Sequence, residues 1–145
     1  MAVLVDTGIL LRAFVKAEPT SAAIRRSIRE LRERGEELVT AVQKIAEFSN
    51  VSTRPATARG GYGLPTSKLG LRIAFIERLC RRLYEGEESY AIWRRLVAAH
   101  AITGVAVHDA RLVSIMLANS VHQVLTLNDR DFRRFESDGI VILSP

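Results

Sequence analysis

The opening run Ala2-Val3-Leu4-Val5 has no polar face, and Asp6 ends it at once. A continuous β-compatible run of this kind reads as a fully buried strand. A short helix is expected from Thr7 to about Phe14, and Pro19 opens a longer one that ends near Gly35. The longer helix carries Ile24, Ile28 and Leu31 on one face, with Arg25, Arg26, Arg29 and Arg32 on the others. Leu38 to Thr40 is a second strand, and Ala41 to about Ser52 a helix closed by Arg54-Pro55.

From Ala56 to Pro65 the chain holds Gly60, Gly61, Tyr62 and Gly63, which reads as a mobile loop over one surface, too short to link two domains. Helical periodicity returns from Thr66 to about Cys80. Arg81 to Tyr84 is a possible strand, and Glu87 to His100 and His108 to about Asn119 are further helices. Val121 to Leu127 and Ile140 to Leu143 read as strands separated by the helical turn Asp131 to Phe135. Strands alternating with helices give an α/β fold. No composition shift divides the chain, so one domain over residues 1–145 is expected.

Composition narrows the function. The longest apolar runs fall far short of the ~20 residues a bilayer span needs, and no basic-then-apolar leader precedes Val3. A soluble, cytoplasmic protein is expected. The single cysteine, Cys80, sits in an apolar helical pattern, offers no internal disulfide or thiolate cluster, and reads as a small buried hydrophobe. The net charge is +5, carried mostly by arginine, since the lysines are Lys16, Lys44 and Lys68. Guanidinium groups suit phosphate oxygens, although the pairs Arg25-Arg26, Arg81-Arg82, Arg94-Arg95 and Arg133-Arg134 also read as ordinary solvated helix faces.

Side chains just beyond the carboxyl ends of parallel strands converge on one crevice. Asp6 follows the first strand, and Asn128, Asp129 and Asp131 follow the Val121 to Leu127 strand. Asp109 stands near a helix N-terminus after Gly104-Val105-Ala106-Val107, and Glu47 lies in mid-helix with Gln43 and Asn50 on its face. Each has a plainer reading. Asp6 and Asp109 could serve only the helices they begin, Glu47 could belong to a solvent-facing stripe, and Asp129 and Asp131 could be turn and cap residues.

The words in which these residues stand go further. Val-Leu-Val-Asp6-Thr7-Gly, Gln43-Lys-Ile-Ala-Glu47-Phe-Ser-Asn50-Val-Ser-Thr-Arg54-Pro, Gly104-Val-Ala-Val-His108-Asp109-Ala-Arg-Leu-Val and Leu125-Thr126-Leu-Asn128-Asp-Arg-Asp131-Phe132 resemble, in order and spacing, the PIN-domain ribonuclease family. The resemblance covers essentially the whole chain and is to the VapC-like toxin branch of type II toxin–antitoxin systems in particular. It implies a three-layer PIN-like fold with a central, mainly parallel sheet of four to five strands and helices on both faces. It also implies that Asp6, Glu47, Asp109 and Asp131 bind Mg²⁺ or Mn²⁺, with Thr7 orienting metal or water and Asn128 in support. Asp129 stays open as an alternative to Asp131.

The activity so implied is metal-dependent endoribonuclease cleavage of RNA, leaving 5′ phosphate and 3′ hydroxyl ends. An antitoxin protein would be the cognate partner and a homodimer the expected assembly. Free-standing RNA processing, or a catalytically silent PIN-fold scaffold, are the alternatives.

The chemistry accounts for the residue types. Crowded carboxylates raise one another's pKa unless a cation neutralises them, and hard oxygen ligands select Mg²⁺ or Mn²⁺. On this reasoning Asp6→Asn or Asp109→Asn should lose cleavage yet keep the fold, with slightly raised stability. Arg54, Arg59, Arg111 and Arg130 are the arginines nearest these words and are expected to position an RNA backbone. Phosphoryl-transfer enzymes of the Asp-x-Asp type need a carboxylate where Gly8 stands. A receiver domain would need an acidic pair at the first strand and a late lysine, and no lysine follows Lys68.

Overall fold

A computed structural model describes residues 1–58 and 60–145. The strands are β1 (Ala2–Val5), β2 (Glu37–Ala41), β3 (Arg81–Leu83), β4 (Gln123–Leu125) and β5 (Val141–Leu143). They form a five-stranded sheet of order β3-β2-β1-β4-β5, and every pairing is parallel. The helices are α1 (Thr7–Ala13), α2 (Ser21–Glu33), α3 (Val42–Thr53), α4 (Thr66–Leu79), α5 (Glu87–Ala99), α6 (Ala106–Ala118) and α7 (Arg130–Arg133).

The unbroken apolar character of β1 is explained by two cores. Val3 and Val5 face Ile9, Ile24, Ile28, Phe48 and Ile76 from α1 to α4, whereas Leu4 faces Leu96, Leu112, Met116, Phe132 and Phe135 on the other side. Alternate side chains of a strand point to opposite faces, so β1 has no face left for water and the molecule is three-layered. Val3, Leu4 and Val5 are fully buried, each contributing about 1.5–3 kcal/mol. Leu4→Ala would leave a hole at the centre and cost about 2–5 kcal/mol.

The longer arginine-rich helix begins at Ser21, two residues after Pro19, and is preceded by a turn in which the Ser21 N–H donates to the Glu18 carbonyl at 3.0 Å. Its end is set by Gly35 at φ +79°. There the Glu36 N–H reaches the Leu31 carbonyl and the Gly35 N–H that of Arg32, a glycine-dependent helix stop. Ile24, Ile28 and Leu31 are buried as the periodicity requires, while Arg26, Arg29 and Arg32 are exposed. Cys80 is buried, which pushes its thiol up to about 12.

The glycine-rich segment is not an open flap. Beyond α3 it folds back, with N–H groups of Tyr62, Gly63 and Leu64 donating to the carbonyls of Val51, Arg54 and Ser52 at 3.2, 2.7 and 2.8 Å. Its glycines permit close backbone approach as well as turning.

The strand order reverses beside β1, with β2 and β3 to one side and β4 and β5 to the other. In an open parallel sheet the crevice lies outside the strand ends at such a reversal. The Asp6 N–H donates to the Leu125 carbonyl at 3.1 Å, tying the ends of β1 and β4 together there.

Candidate active site

Asp6 leaves β1 in an extended conformation and caps α1. Its Oδ1 accepts from the Thr7 N–H at 2.8 Å and its Oδ2 from the Thr126 hydroxyl at 2.7 Å. Capping and a place in the crevice are therefore one geometry, so the two readings of Asp6 do not compete. Thr126 Oγ1 in turn accepts from the Asn128 N–H at 3.0 Å, and Asn128 Nδ2 donates to Asp131 Oδ2 at 2.6 Å. A relay of hydrogen bonds thus runs from Asp6 to Asp131 across the end of β4.

α3 begins directly after β2, with the last strand residue Ala41 as its cap. The first turns of the helix therefore stand over the sheet edge. Glu47 Oε2 accepts from Thr7 Oγ1 at 3.0 Å, and its Oε1 from Gln43 Nε2 at 3.3 Å. Gln43 Nε2 also lies 3.4 Å from the His108 carbonyl, linking α3 to the first turn of α6. The polar stripe of α3 divides: Gln43 and Glu47 join the crevice, whereas Asn50 is exposed.

Lys44 is the unforeseen member. It is only 7% exposed, and its Nζ lies 2.9 Å from Glu47 Oε2 and 3.2 Å from Asp6 Oδ1. Burial opposes the charge on Lys44, but Asp6 and Glu47 outweigh it and raise its pKa above the ordinary lysine value.

Asp109 lies in the first turn of α6. Burial, then the charges of Asp131 and Asp6, push its carboxyl up to about 6, against the opposing effect of Lys44 and Arg134. Asp131, in α7, is also pushed up, first by burial and next by Asp6, with Glu47 adding to the rise and Lys44 and Arg134 resisting it. Asp6, Glu47, Asp109 and Asp131 thus share one electrostatic neighbourhood. Asp129 turns instead to Arg133, one helical turn on.

The arginines divide likewise. Arg111 is held by both carboxylate oxygens of Glu85, at 2.5 and 2.8 Å. Arg130 is exposed, Arg54 is the C-cap of α3, and Arg59 lies outside the described residues. Arg134, whose charge reaches Asp109 and Asp131, had read only as part of a solvated pair. Sequence reasoning also gave no role to Lys44 or Thr126. The signals available were a lysine three residues before Glu47, on the helix face toward the sheet, and a hydroxyl at the end of a buried strand.

The donors around the crevice are oxygens of carboxylates, hydroxyls and an amide, which in kind suit a hard divalent ion. Among the described residues, however, no group of three or more His, Cys, Asp or Glu is gathered tightly enough to hold one. The place between Asp6 and Glu47 is filled by the Lys44 ammonium.

The fold has parallels among solved structures. A chain in VapBC2 from Rickettsia felis, solved bound to a promoter DNA fragment, superposes with a TM-score of 0.72 at 12% identity, covering 100% of this chain and 99% of that one. VapBC-1 from nontypeable Haemophilus influenzae gives 0.67 at 15% identity, over 99% and 98% of the two chains. A toxin–antitoxin complex from Klebsiella pneumoniae gives 0.63 at 14%, over 96% and 95%. At such identities the likeness establishes the fold alone. No curated protein matches the chain significantly in sequence. The family described as PIN domain, by contrast, matches residues 3–137, nearly the full length, and the chain therefore belongs to the PIN domain family.

Proposed function

We propose that this chain is a divalent-metal-dependent endoribonuclease and the toxin of a toxin–antitoxin pair. The observation that supports the reading is the hydrogen-bonded set at the sheet's reversal point, in which Thr126 and Asn128 link Asp6 to Asp131 and Thr7 links Asp6 to Glu47, with the carboxyls of Asp109 and Asp131 pushed up beside it. Acids perturbed by burial and by one another at strand ends are candidates for a chemical site. Asp6, Glu47, Asp109 and Asp131 would hold Mg²⁺ or Mn²⁺, with Asp131 preferred to Asp129 because the latter is paired with Arg133. When bound, such an ion supplies Lewis acidity toward a phosphoryl oxygen and a more acidic water.

The protein's part is to hold its oxygens still. The Thr7 N–H and the Thr126 hydroxyl fix both oxygens of Asp6, the Thr7 hydroxyl fixes Glu47, and Asn128 fixes Asp131. Side chains locked in this way need little reorganisation when a charged substrate arrives. Arg54, Arg130 and Arg134 are the cations proposed to receive the RNA backbone, and Arg111 takes part only by sharing itself with Glu85. Because the route needs no 2′ hydroxyl nucleophile, preference for RNA would come from the shape and single-strand contacts of the substrate.

The toxin assignment draws on the fold shared with chains solved in VapBC and toxin–antitoxin complexes. An antitoxin covering the crevice, and a homodimer, belong to the same proposal, with the cytoplasm as its setting. Among the described residues no helix is long and apolar enough to cross a membrane. The test is brief induced expression followed by sequencing of newly formed RNA 5′ ends, with the Asp6→Asn, Asp109→Asn double variant alongside. Cuts at a restricted set of sites that vanish in the double variant are expected. Cleavage by the purified double variant with Mg²⁺ at the wild-type rate would end the nuclease reading, and metal binding without cleavage of any RNA would leave a silent scaffold.

A further inference from the structure

We propose that Lys44 is a built-in occupant of the cation position, an ammonium that partly offsets the negative charge of Asp6 and Glu47 and that a divalent ion must displace to bind between them. The inference rests on the nuclease reading for the identity of the ion, but its observations are those of the lysine itself.

Lys44 lies in the first turn of α3, three residues before Glu47, so both side chains leave the helix on one face. Its ammonium is almost completely buried and touches one oxygen of each carboxylate, Asp6 Oδ1 and Glu47 Oε2. The same Glu47 oxygen is the one that Thr7 Oγ1 approaches at 3.0 Å. An oxygen-rich point bounded by Asp6, Glu47 and the Thr7 hydroxyl is where a hard cation would be placed, and a positive charge is already there.

A lysine suits an exchangeable role better than arginine. It is a point charge on a flexible stem and has no planar fork fixing it to a carboxylate pair. The ammonium and the ion cannot share the position, because both would need the same oxygens of Asp6 and Glu47 and two cations a few ångströms apart repel. Ion binding should therefore expel Lys44 toward solvent.

The small number of lysines makes the displacement readable in the unaltered protein. Lys16 and Lys68 are exposed and serve as internal standards, while Lys44 is buried. Acylation by an amine-reactive ester, followed by peptide mass analysis, should label Lys16 and Lys68 at once and Lys44 slowly. Added Mg²⁺ or Mn²⁺ should speed labelling of Lys44 by about tenfold or more and leave the other two unchanged. In parallel, Lys44→Gln and Lys44→Met should bind Mn²⁺ about tenfold more tightly in calorimetric titration and gain more thermal stability from it than the wild type.

The inference alone is overturned if the wild type binds Mn²⁺ and cuts RNA while Lys44 stays protected, or while the variants bind Mn²⁺ no more tightly. If the wild type neither binds Mn²⁺ nor cuts RNA, the nuclease reading fails first and carries this one with it. Should the variants not fold, the labelling of the unaltered protein decides.

Discussion

The hydroxyl of Thr126 donates to Asp6 Oδ2 at 2.7 Å, joining residues 120 positions apart and tying the exit of β4 to the exit of β1. Both groups are buried, so this bond holds the carboxylate against swinging, and the same Thr126 oxygen accepts the Asn128 N–H. Thr126→Val keeps the shape and removes the donor. The expected result is a loss of about 1.5–3 kcal/mol in urea unfolding, the usual magnitude for a hydrogen bond to a charged group. If the cluster cuts RNA, kcat should fall while KM for RNA changes little, and Thr126→Ser should restore both properties.

Asp109 gives the metal-free protein a pH dependence of definite sign. Its carboxyl is raised from 3.8 to about 6, so between those values the native chain binds more protons than the unfolded chain. Stability must therefore fall as pH rises through that window. Asp109→Asn removes the effect. The difference between the urea midpoints of variant and wild type should be small near pH 4, grow in favour of the variant to about pH 6, and then level off. A difference that does not change with pH would refute the crowding of Asp109.

Asp6→Asn should behave in the opposite way. Crowding alone treats the four acids alike, and from it both neutralising variants were expected to gain stability. Lys44 separates them. Asp6 is a direct partner of this buried ammonium, whereas Asp109 meets it only at a distance. Neutralising Asp6 leaves the ammonium with Glu47 alone, and removal of one partner from a buried pair is destabilising. A loss of about 2 kcal/mol is expected, reduced from the full effect because Glu47 remains and asparagine can still cap α1. Calorimetric Tm values measured without metal should rank Asp109→Asn above wild type and wild type above Asp6→Asn.

These opposite signs mark what the sequence could and could not reveal. β1 was legible because a run with no polar residue permits only two-sided burial, and the mainly parallel sheet followed from strands alternating with helical periods, while the three-layer arrangement came from the family resemblance. Asp6, Glu47, Asp109 and Asp131 could be nominated from the sequence because strand ends and motif words are linear features. The partners that hold and surround them could not. Lys44 comes near Asp6 only when α3 folds over the end of β1, and Thr126 reaches it only through the pairing of β1 with β4. Asp129, the lesser candidate that spacing left open beside Asp131, parts from it in the fold, where Asp129 pairs with Arg133 and Asp131 with Asn128. The boundaries that moved did so locally, as where the Glu18 to Ser21 turn precedes α2.

The glycine segment supplies the last test, one independent of any ion. A Cβ built on Gly61 would stand 2.2 Å from the Pro55 carbonyl oxygen and 2.6 Å from that of Arg54, far inside contact distance and against backbone that cannot rotate away. The same stretch donates to the last turn of α3, whose first turns hold Lys44 and Glu47. Gly61→Ala must therefore lift the segment from α3 or distort it, and a cost of about 1–3 kcal/mol is expected from forced overpacking. Gly70 is a control, for a Cβ there meets nothing within 4 Å, and in mid-helix alanine is favoured by about 1 kcal/mol. Gly61→Ala should lower the urea midpoint and speed amide exchange at Gly63 and Leu64, whereas Gly70→Ala should raise the midpoint. If Gly61→Ala proves as stable as wild type, the segment does not pack on the end of α3, and its glycines serve flexibility alone.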